Sequence, residues 1–234
     1  MKVTIRIWDF PTRLFHWSLV LAVVAAYITA TLGGNLMDWH GRIGSFILGL
    51  LVFRLIWGFV GSTYARFGSF FPTLPRLAAY LKGRWHHLGH NPLGALAVFA
   101  LLADLSLLVG TGLCSSDDIA FEGPLFKLVN DESLKDKLSG LHAQAFNFLL
   151  VLLALHIASI GFYRVIKKTN LILPMLTGKK EVPKALAIPV TGGGPVRFFT
   201  TVIIAGAVVW GVWGGVELIK PVESAPVPAT TPSF

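Results

Sequence analysis

The stretch GLHAQAFNFLLVLLALHIASIGFYRVIKK, residues 140–168, decides how the chain is read. From Leu141 to Tyr163 it is apolar for long enough to cross a hydrocarbon core of about 30 Å, which takes about 20 helical residues. Within this run stand two histidines, His142 and His156. At about 100° and 1.5 Å per residue, their spacing returns the second imidazole to within about 40° of the first, about 21 Å further along the axis. One helix face therefore presents two imidazoles at two depths. An ionisable side chain inside a membrane helix is costly and marks a functional site.

Four further stretches are long and apolar enough to span: Leu14–Leu32, His40–Gly61, Leu93–Leu113 and Arg197–Glu217. Composition agrees, since 54% of the 234 residues are apolar, only 14% are charged and mean hydropathy is +0.67, whereas a soluble domain carries about 25% charge. The expectation is an all-α integral membrane protein, with a four-helix transmembrane bundle over residues 1–180. A linker and fifth transmembrane helix follow over 181–219, and a disordered Pro-rich tail over 220–234. The first span follows a basic N-terminus, but its apolar run is too long for a signal peptide and no small-x-small cleavage site ends it, so it reads as a retained helix. The single cysteine, Cys114, excludes a disulfide framework and a Cys-x-x-Cys-His attachment for covalent haem.

A net charge of +8 raises the question of nucleic acid, and the distribution answers it. Segments 1–13, 62–92 and 164–197 hold 14 Lys and Arg against two acids, Asp9 and Glu181. The segments on the other side hold five bases (Arg42, Lys127, Lys135, Lys137, Lys220) and nine acids. This positive-inside asymmetry predicts a multi-pass membrane protein with a cytoplasmic N-terminus and the C-terminus on the outer side. The bases then face membrane lipids, and no nucleic-acid partner is expected. In the 62–91 connection, bases and aromatics interleave (Phe70, Phe71, Arg76, Tyr80, Lys82, Arg84, Trp85), which suits a short helix in the headgroup region. The 114–139 connection carries Asp117, Asp118, Glu122, Asp131, Glu132 and Asp136, a surface able to steer a basic carrier and also what a translocated loop contains anyway.

Two more histidines open spans: His16 on the cytoplasmic side and His40 on the outer side. The depths match in pairs, His16 with His156 and His40 with His142. Two stacked imidazole pairs in a helical bundle suit two non-covalent b haems with bis-histidine ligation. A single zinc or copper ion suits them less, because one ion needs its ligands close together and the two layers are about 21 Å apart. Arg54 follows His40 by fourteen residues, so it falls on roughly the same face at the depth of the inner pair, where a haem propionate would satisfy it. Arg13 is a second candidate for the inner haem and Arg42 for the outer one; each could equally snorkel to headgroups. Gly41 and Gly44 would let a porphyrin approach the second helix, or simply let helices pack. Trp17, Trp39 and Trp57 read as interfacial belt residues.

The strings IWDFPTRLFHW (7–17), DWHGRIG (38–44), FRLIWGFVG (53–61), LGHNPLG (88–94) and the fourth-span stretch together resemble the prokaryotic dihaem cytochrome b-561 family, which includes the cytochrome b subunit of nickel-iron hydrogenases. The resemblance covers about residues 5 to 180. It implies a four-helix bundle with two b haems, His16 and His156 holding the cytoplasmic-side haem and His40 and His142 the periplasmic-side one. It also implies a bacterial inner membrane, with the outer side and C-terminus periplasmic, and electron transfer in a respiratory chain between the quinone pool and a periplasmic redox partner such as a c-type cytochrome. Some relatives oxidise superoxide while reducing quinone, which is an alternative reading. A third is a non-haem ion or proton transporter using the histidines and Asp104. The fifth helix and tail are not needed by the four-helix core.

Asp104, mid-span, is expected to donate a hydrogen bond as a protonated acid to a neighbouring helix, with a proton path to quinone as the other reading. His90 is either a proton acceptor at a cytoplasmic-side quinone site or a solvated loop histidine. Cys114 is expected to be inert.

Overall fold

The computed structural model describes residues 1–85, 88–116, 121–184, 187 and 189–215. His86, His87, Asp117, Asp118, Glu217 and the tail over 220–234 lie outside the described residues.

Helix α1 (Phe10–Leu32) begins where the Asp9 carboxylate accepts the Thr12 N–H at 2.8 Å and Pro11 occupies the first turn, both favourable N-terminal features. It ends at Gly33, whose φ of 63° reverses the chain and whose N–H bonds the Thr29 carbonyl. A 3-10 turn over Gly34–Leu36 leads directly into α2 (Met37–Val60). The two helices therefore form a tight antiparallel hairpin. Two short helices follow, α3 (Phe67–Phe70) and α4 (Leu74–Leu81), the latter in the segment expected to carry a short helix. Helix α5 (Pro92–Gly112) starts on an Asn91 cap that accepts the Gly94 N–H at 2.8 Å.

Helix α6 (Glu132–Val165) has 34 residues, capped by Asp131. At 1.5 Å per residue it is about 51 Å long, well beyond a bilayer core. Its start lies nine residues before the expected Leu141, because ESLKDKLSG continues the helix on good helix formers and a Lys135–Glu132 ion pair of 2.8 Å. Helix α8 (Pro195–Trp210) passes into a π-helical turn over Gly211–Gly215. These give five membrane-spanning helices among the described residues, by length and hydropathy. Helix α2 is the hub, packing on α1, α5 and α8, while α5 packs on α6. The stacked rings of Tyr27 and Phe146, 5.7 Å apart, bring α1 to α6.

One element escaped the hydropathy reading. Strand β1 (Lys2–Arg6) pairs antiparallel with β2 (Lys179–Pro183), in a register running from Lys2 opposite Pro183 to Arg6 opposite Lys179. Between them and α6 lies α7 (Ile172–Thr177), which ends on Gly178. Gly178 takes a left-handed φ of 78°, and its carbonyl accepts the Ile7 and Trp8 N–H groups. The ribbon thus ties the N-terminus beneath α1 to the segment after α6. We call this the basic end of the bundle and the other the acidic end.

Trp57 is a correction to the sequence reading. It is 0% exposed, stacked on Phe53 at 5.7 Å, and donates from Nε1 to the Asp9 carboxylate at 3.0 Å. It belongs to the core, not to an interfacial belt, because Asp9 satisfies its one polar atom. Trp17 and Trp39 are exposed, Trp17 donating to the Met175 carbonyl and Trp39 lying under the Arg42 guanidinium. Asp9 thus serves two helices at once. Asp9→Ala should remove a cap worth about 0.5–2 kcal/mol and leave the Trp57 N–H unpaired at a further cost of about 1–3 kcal/mol. The melting temperature of detergent-solubilised protein should fall clearly, and by less in Asp9→Asn, which keeps one acceptor; equal stability of all three proteins would overturn this account of Asp9.

Candidate cofactor site: two imidazole pairs

His40 stands in the first turn of α2 and His142 in α6, and the bundle brings their rings to a centroid distance of 6.2 Å at an interplanar angle of 84°. Each ring is anchored from behind. His40 Nδ1 lies 2.9 Å from the Ala26 carbonyl of α1, and His142 Nδ1 lies 2.8 Å from the Leu108 carbonyl of α5. A carbonyl only accepts, so both Nδ1 atoms carry the proton and both Nε2 atoms are left as lone-pair donors. Each carbonyl also accepts a hydroxyl from the residue three positions on, Thr29 or Thr111. The Thr111 hydroxyl lies 3.4 Å from His142 Nδ1 as well.

Both rings line a cavity of about 360 Å³, walled also by Val23 and Tyr27 of α1, Gly44 and Ile47 of α2, Leu105 of α5 and Phe146 of α6. Gly44 faces open space, with nothing within 4 Å of where a Cβ would stand. Gly41 has a different task. A Cβ there would stand 2.4 Å from the Phe121 ring, so the missing side chain admits Phe121, which covers the cavity from the connection after α5. Gly112 likewise makes room for the His142 ring, which a Cβ would approach to 2.8 Å.

Two imidazoles binding one metal from opposite sides, with metal–nitrogen bonds of about 2.0 Å and ring centres about 1.1 Å behind each nitrogen, have centroids about 6.2 Å apart. The acidic-end pair has that separation. Among the described residues no three His, Cys, Asp or Glu side chains converge as for a tetrahedral ion. Two imidazoles at that separation, each with its Nε2 lone pair uncommitted and both lining an apolar cavity, fit a flat macrocycle that supplies its own equatorial ligands.

At the basic end, His16 of α1 and His156 of α6 are close enough to interact electrostatically. His16 Nδ1 is buried with no hydrogen-bond partner. Arg54, 4% exposed on α2, lies over the Phe67 ring at 4.5 Å with Nη1 unpartnered. Arg13 donates from Nη1 to the Leu176 carbonyl and leaves Nε buried and unpartnered. Both guanidiniums therefore keep donors free for an anion beside this pair. Arg42 differs from them, since it is exposed and stacked 5.2 Å over Trp39, outside the cavity. The α2 helix places it on the outer surface, one residue and so about 100° round from the cavity-lining Gly41.

From the sequence His90 reads either as a proton acceptor at a quinone site or as a solvated loop histidine. Its ring is packed 4.8 Å from Trp8 and 4.8 Å from Phe70, within electrostatic reach of Arg54, His156 and His16. It is not a solvated histidine: burial, then the positive charge of Arg54 and the imidazoles of His156 and His16, push its pKa down to about 3. Asp104 is 5% exposed with Oδ2 unpartnered among the described residues, so the expected hydrogen bond to a neighbouring helix is not made. Burial pushes the Cys114 thiol up, which fits an inert residue. Of the acidic residues described in the 114–139 connection, Glu122 pairs with Lys127 at 3.2 Å and Asp131 caps α6. Sequence reading missed Thr29, Phe121 and the two carbonyls and assigned Thr111 no role; only the Thr three residues after each carbonyl leaves a trace, and it is a weak one.

A multi-pass helical bundle that pairs imidazoles from different helices beside an apolar cavity fits a membrane cytochrome of the b type. Comparison with known proteins agrees: the family model described as prokaryotic cytochrome b561 matches residues 7–178, and the chain belongs to that family. The family implies haem b. Among curated proteins, the "Probable Ni/Fe-hydrogenase B-type cytochrome subunit" of Azotobacter vinelandii is 28% identical over 129 residues, covering 42% of this chain and 53% of the relative. The protein of the same description from Azotobacter chroococcum mcd 1 matches to the same extent. The chain thus spans about half the length of the curated relatives it matches. No solved structure matches it.

The His90 geometry has a pH consequence. Its pKa of about 3 in the folded protein lies below the value of about 6.5 in an unfolded chain. Acid therefore protonates the unfolded chain first, so the stability is complete above about pH 6.5 and is lost as pH falls from there toward 3. The melting temperature should drop between pH 6.5 and 4, and His90→Gln should reduce that drop. An equal acid response in the two proteins would show that the imidazole is already charged where it sits.

Proposed function

We propose that this chain holds two b haems and carries electrons across a bacterial inner membrane, between the quinone pool and a periplasmic redox partner. His40 and His142 hold the acidic-end haem, and His16 and His156 the basic-end one. The basic end faces the cytoplasm, in keeping with its excess of Lys and Arg. The observation that carries this reading is the 6.2 Å separation of the His40 and His142 rings beside an apolar cavity, both Nδ1 atoms turned away into backbone carbonyls.

Each haem, when bound, supplies a one-electron ferric/ferrous couple. The chain's residues orient, hold and insulate it. The carbonyls of Ala26 and Leu108 fix the tautomer and direction of their imidazoles. Arg13 and Arg54 offer buried donors to propionates at the basic end. Arg42, exposed on Trp39, is left with lipid headgroups or a partner's surface. The relatives named as hydrogenase cytochrome subunits suggest a partner that is itself a redox enzyme; a c-type cytochrome is the other candidate, and quinone is the membrane-side substrate.

Pyridine-haemochrome quantitation of fully loaded protein should give two haems per chain, both extracted by acid-acetone. His142→Ala should lose one haem and His156→Ala the other, with helix content kept. One haem per loaded chain, or haem remaining on the polypeptide after extraction, would overturn the reading. Quinol oxidation by the purified protein with a c-type cytochrome as acceptor then tests the proposed substrate pair.

Gly112→Ala is a milder probe. The added Cβ would stand 2.8 Å from the His142 ring and displace it from the Leu108 carbonyl. Loss of such an outer-shell hydrogen bond lowers metal affinity by about 10- to 100-fold. Haem titrated into apoprotein should therefore bind one site normally and the other about 10- to 100-fold more weakly; two unchanged sites would remove His142 from haem binding.

A further inference from the structure

We propose that the groups behind the two imidazole pairs set their haems at different reduction potentials, with the acidic-end pair, His40 and His142, holding the lower one. The inference rests on the ligand assignment above and goes beyond it, to where an electron comes to rest.

The first difference is in the hydrogen bonds. At the acidic end both ligands donate from Nδ1 to a backbone carbonyl, at 2.9 and 2.8 Å. Donation of that proton raises the basicity of the nitrogen on the other side of the ring, and a more basic axial ligand favours the ferric state. At the basic end His16 Nδ1 is buried without an acceptor. No hydrogen bond from the His156 ring is formed among the described residues either. The contrast is two second-sphere bonds against none.

The second difference is in fixed charge. Oxidation adds a positive charge at the iron, so a buried cation nearby disfavours it. Arg54 is 4% exposed, lies 4.5 Å over the Phe67 ring and is within electrostatic reach of His90, as His16 and His156 are. Its nearest counter-charge is Asp9, whose two oxygens already accept from the Thr12 N–H and from Trp57 Nε1. No carboxylate forms an ion pair with Arg54 among the described residues. At the acidic end the comparable cation, Arg42, is exposed and turned onto Trp39, where solvent screens it. Phe121 opposes these effects, because covering the acidic-end cavity excludes water and favours the less charged ferrous state. It is one apolar contact against two hydrogen bonds and a buried guanidinium. An electron added to the chain therefore settles at the basic end, and one delivered at the acidic end runs downhill across the bundle.

A potentiometric titration of the detergent-solubilised holoprotein, followed in the visible haem bands, tests this. Two one-electron waves are expected. His142→Ala should abolish the lower wave and His156→Ala the higher one. Arg54→Gln keeps both ligand pairs and should move the higher wave to more negative potential while the lower one stays in place; this arm decides the order even if a histidine variant fails to fold. The order is overturned if His142→Ala abolishes the higher wave, if Arg54→Gln moves the lower wave instead, or if both haems titrate in one unresolved wave. If either histidine variant loses both waves or neither with its helix content intact, the ligand assignment falls, and the order with it.

Discussion

A carbonyl in a transmembrane helix has two lone pairs, and the helix uses only one of them. In hydrocarbon no water takes the second. At Ala26 and Leu108 the second acceptor position is taken by an imidazole from the next helix, with a threonine hydroxyl three residues on as a further donor. The acidic end is organised around this use of the backbone. Helix α1 presents its carbonyl to α2, and α5 presents its carbonyl to α6, so two helical hairpins use one device without any repeat in their sequences. Because each imidazole is fixed by a main-chain atom, its direction is set by helix packing rather than by another side chain that could rotate.

The basic end is built on other principles. Its polar groups are side chains: Asp9 bridges the start of α1 to Trp57, Arg54 lies over Phe67, and His90 is stacked between Trp8 and Phe70. The β1–β2 ribbon and Gly178 close it from below, with Gly178 so near Trp8 that a Cβ would stand 2.6 Å from the Trp8 carbonyl. Several donors here remain unpartnered. Buried donors without acceptors cost stability, and their gathering beside His16 and His156 is what a site for an anionic ligand looks like from the protein's side.

The spans were legible because membrane insertion is decided by length and hydropathy, which are local properties of sequence. The histidine spacing in α6 was legible for the same reason, since helix geometry converts fourteen residues into an angle and a depth. What failed were judgements about partners. Trp57 looked interfacial because nothing near it in sequence announces Asp9, 48 residues earlier. His90 looked solvated because the aromatic rings that bury it come from β1's sequel and from α3. Strands β1 and β2 are five residues each, with charges that count against strand in any local reading, and they meet only because the bundle brings residue 2 to residue 183. The early start of α6 was hidden for the opposite reason: hydropathy ends where the bilayer ends, but a capped helix of good formers does not.

Among the described residues, helix α8 packs on α2 and lines no part of the His40–His142 cavity, yet its contacts explain why it is there. It packs along α2, where Val209 lies 3.2 Å from the position a Gly49 Cβ would take, Phe198 meets the Trp57 ring edge-on at 6.3 Å, and Trp213 donates to Ser45 at 2.6 Å. Helix α2 is the element that carries both His40 and Arg54, one at each end of the bundle. A sliding or rotation of α2 would move the acidic-end imidazole off the Ala26 carbonyl and the guanidinium away from the basic-end cluster in the same motion. Three contacts at three heights on α2 oppose that motion, from Phe198 near the basic end to Trp213 near the acidic end. The fifth helix thus acts on both sites through one rigid neighbour, which is how a span outside the four-helix core can matter to residues on another helix.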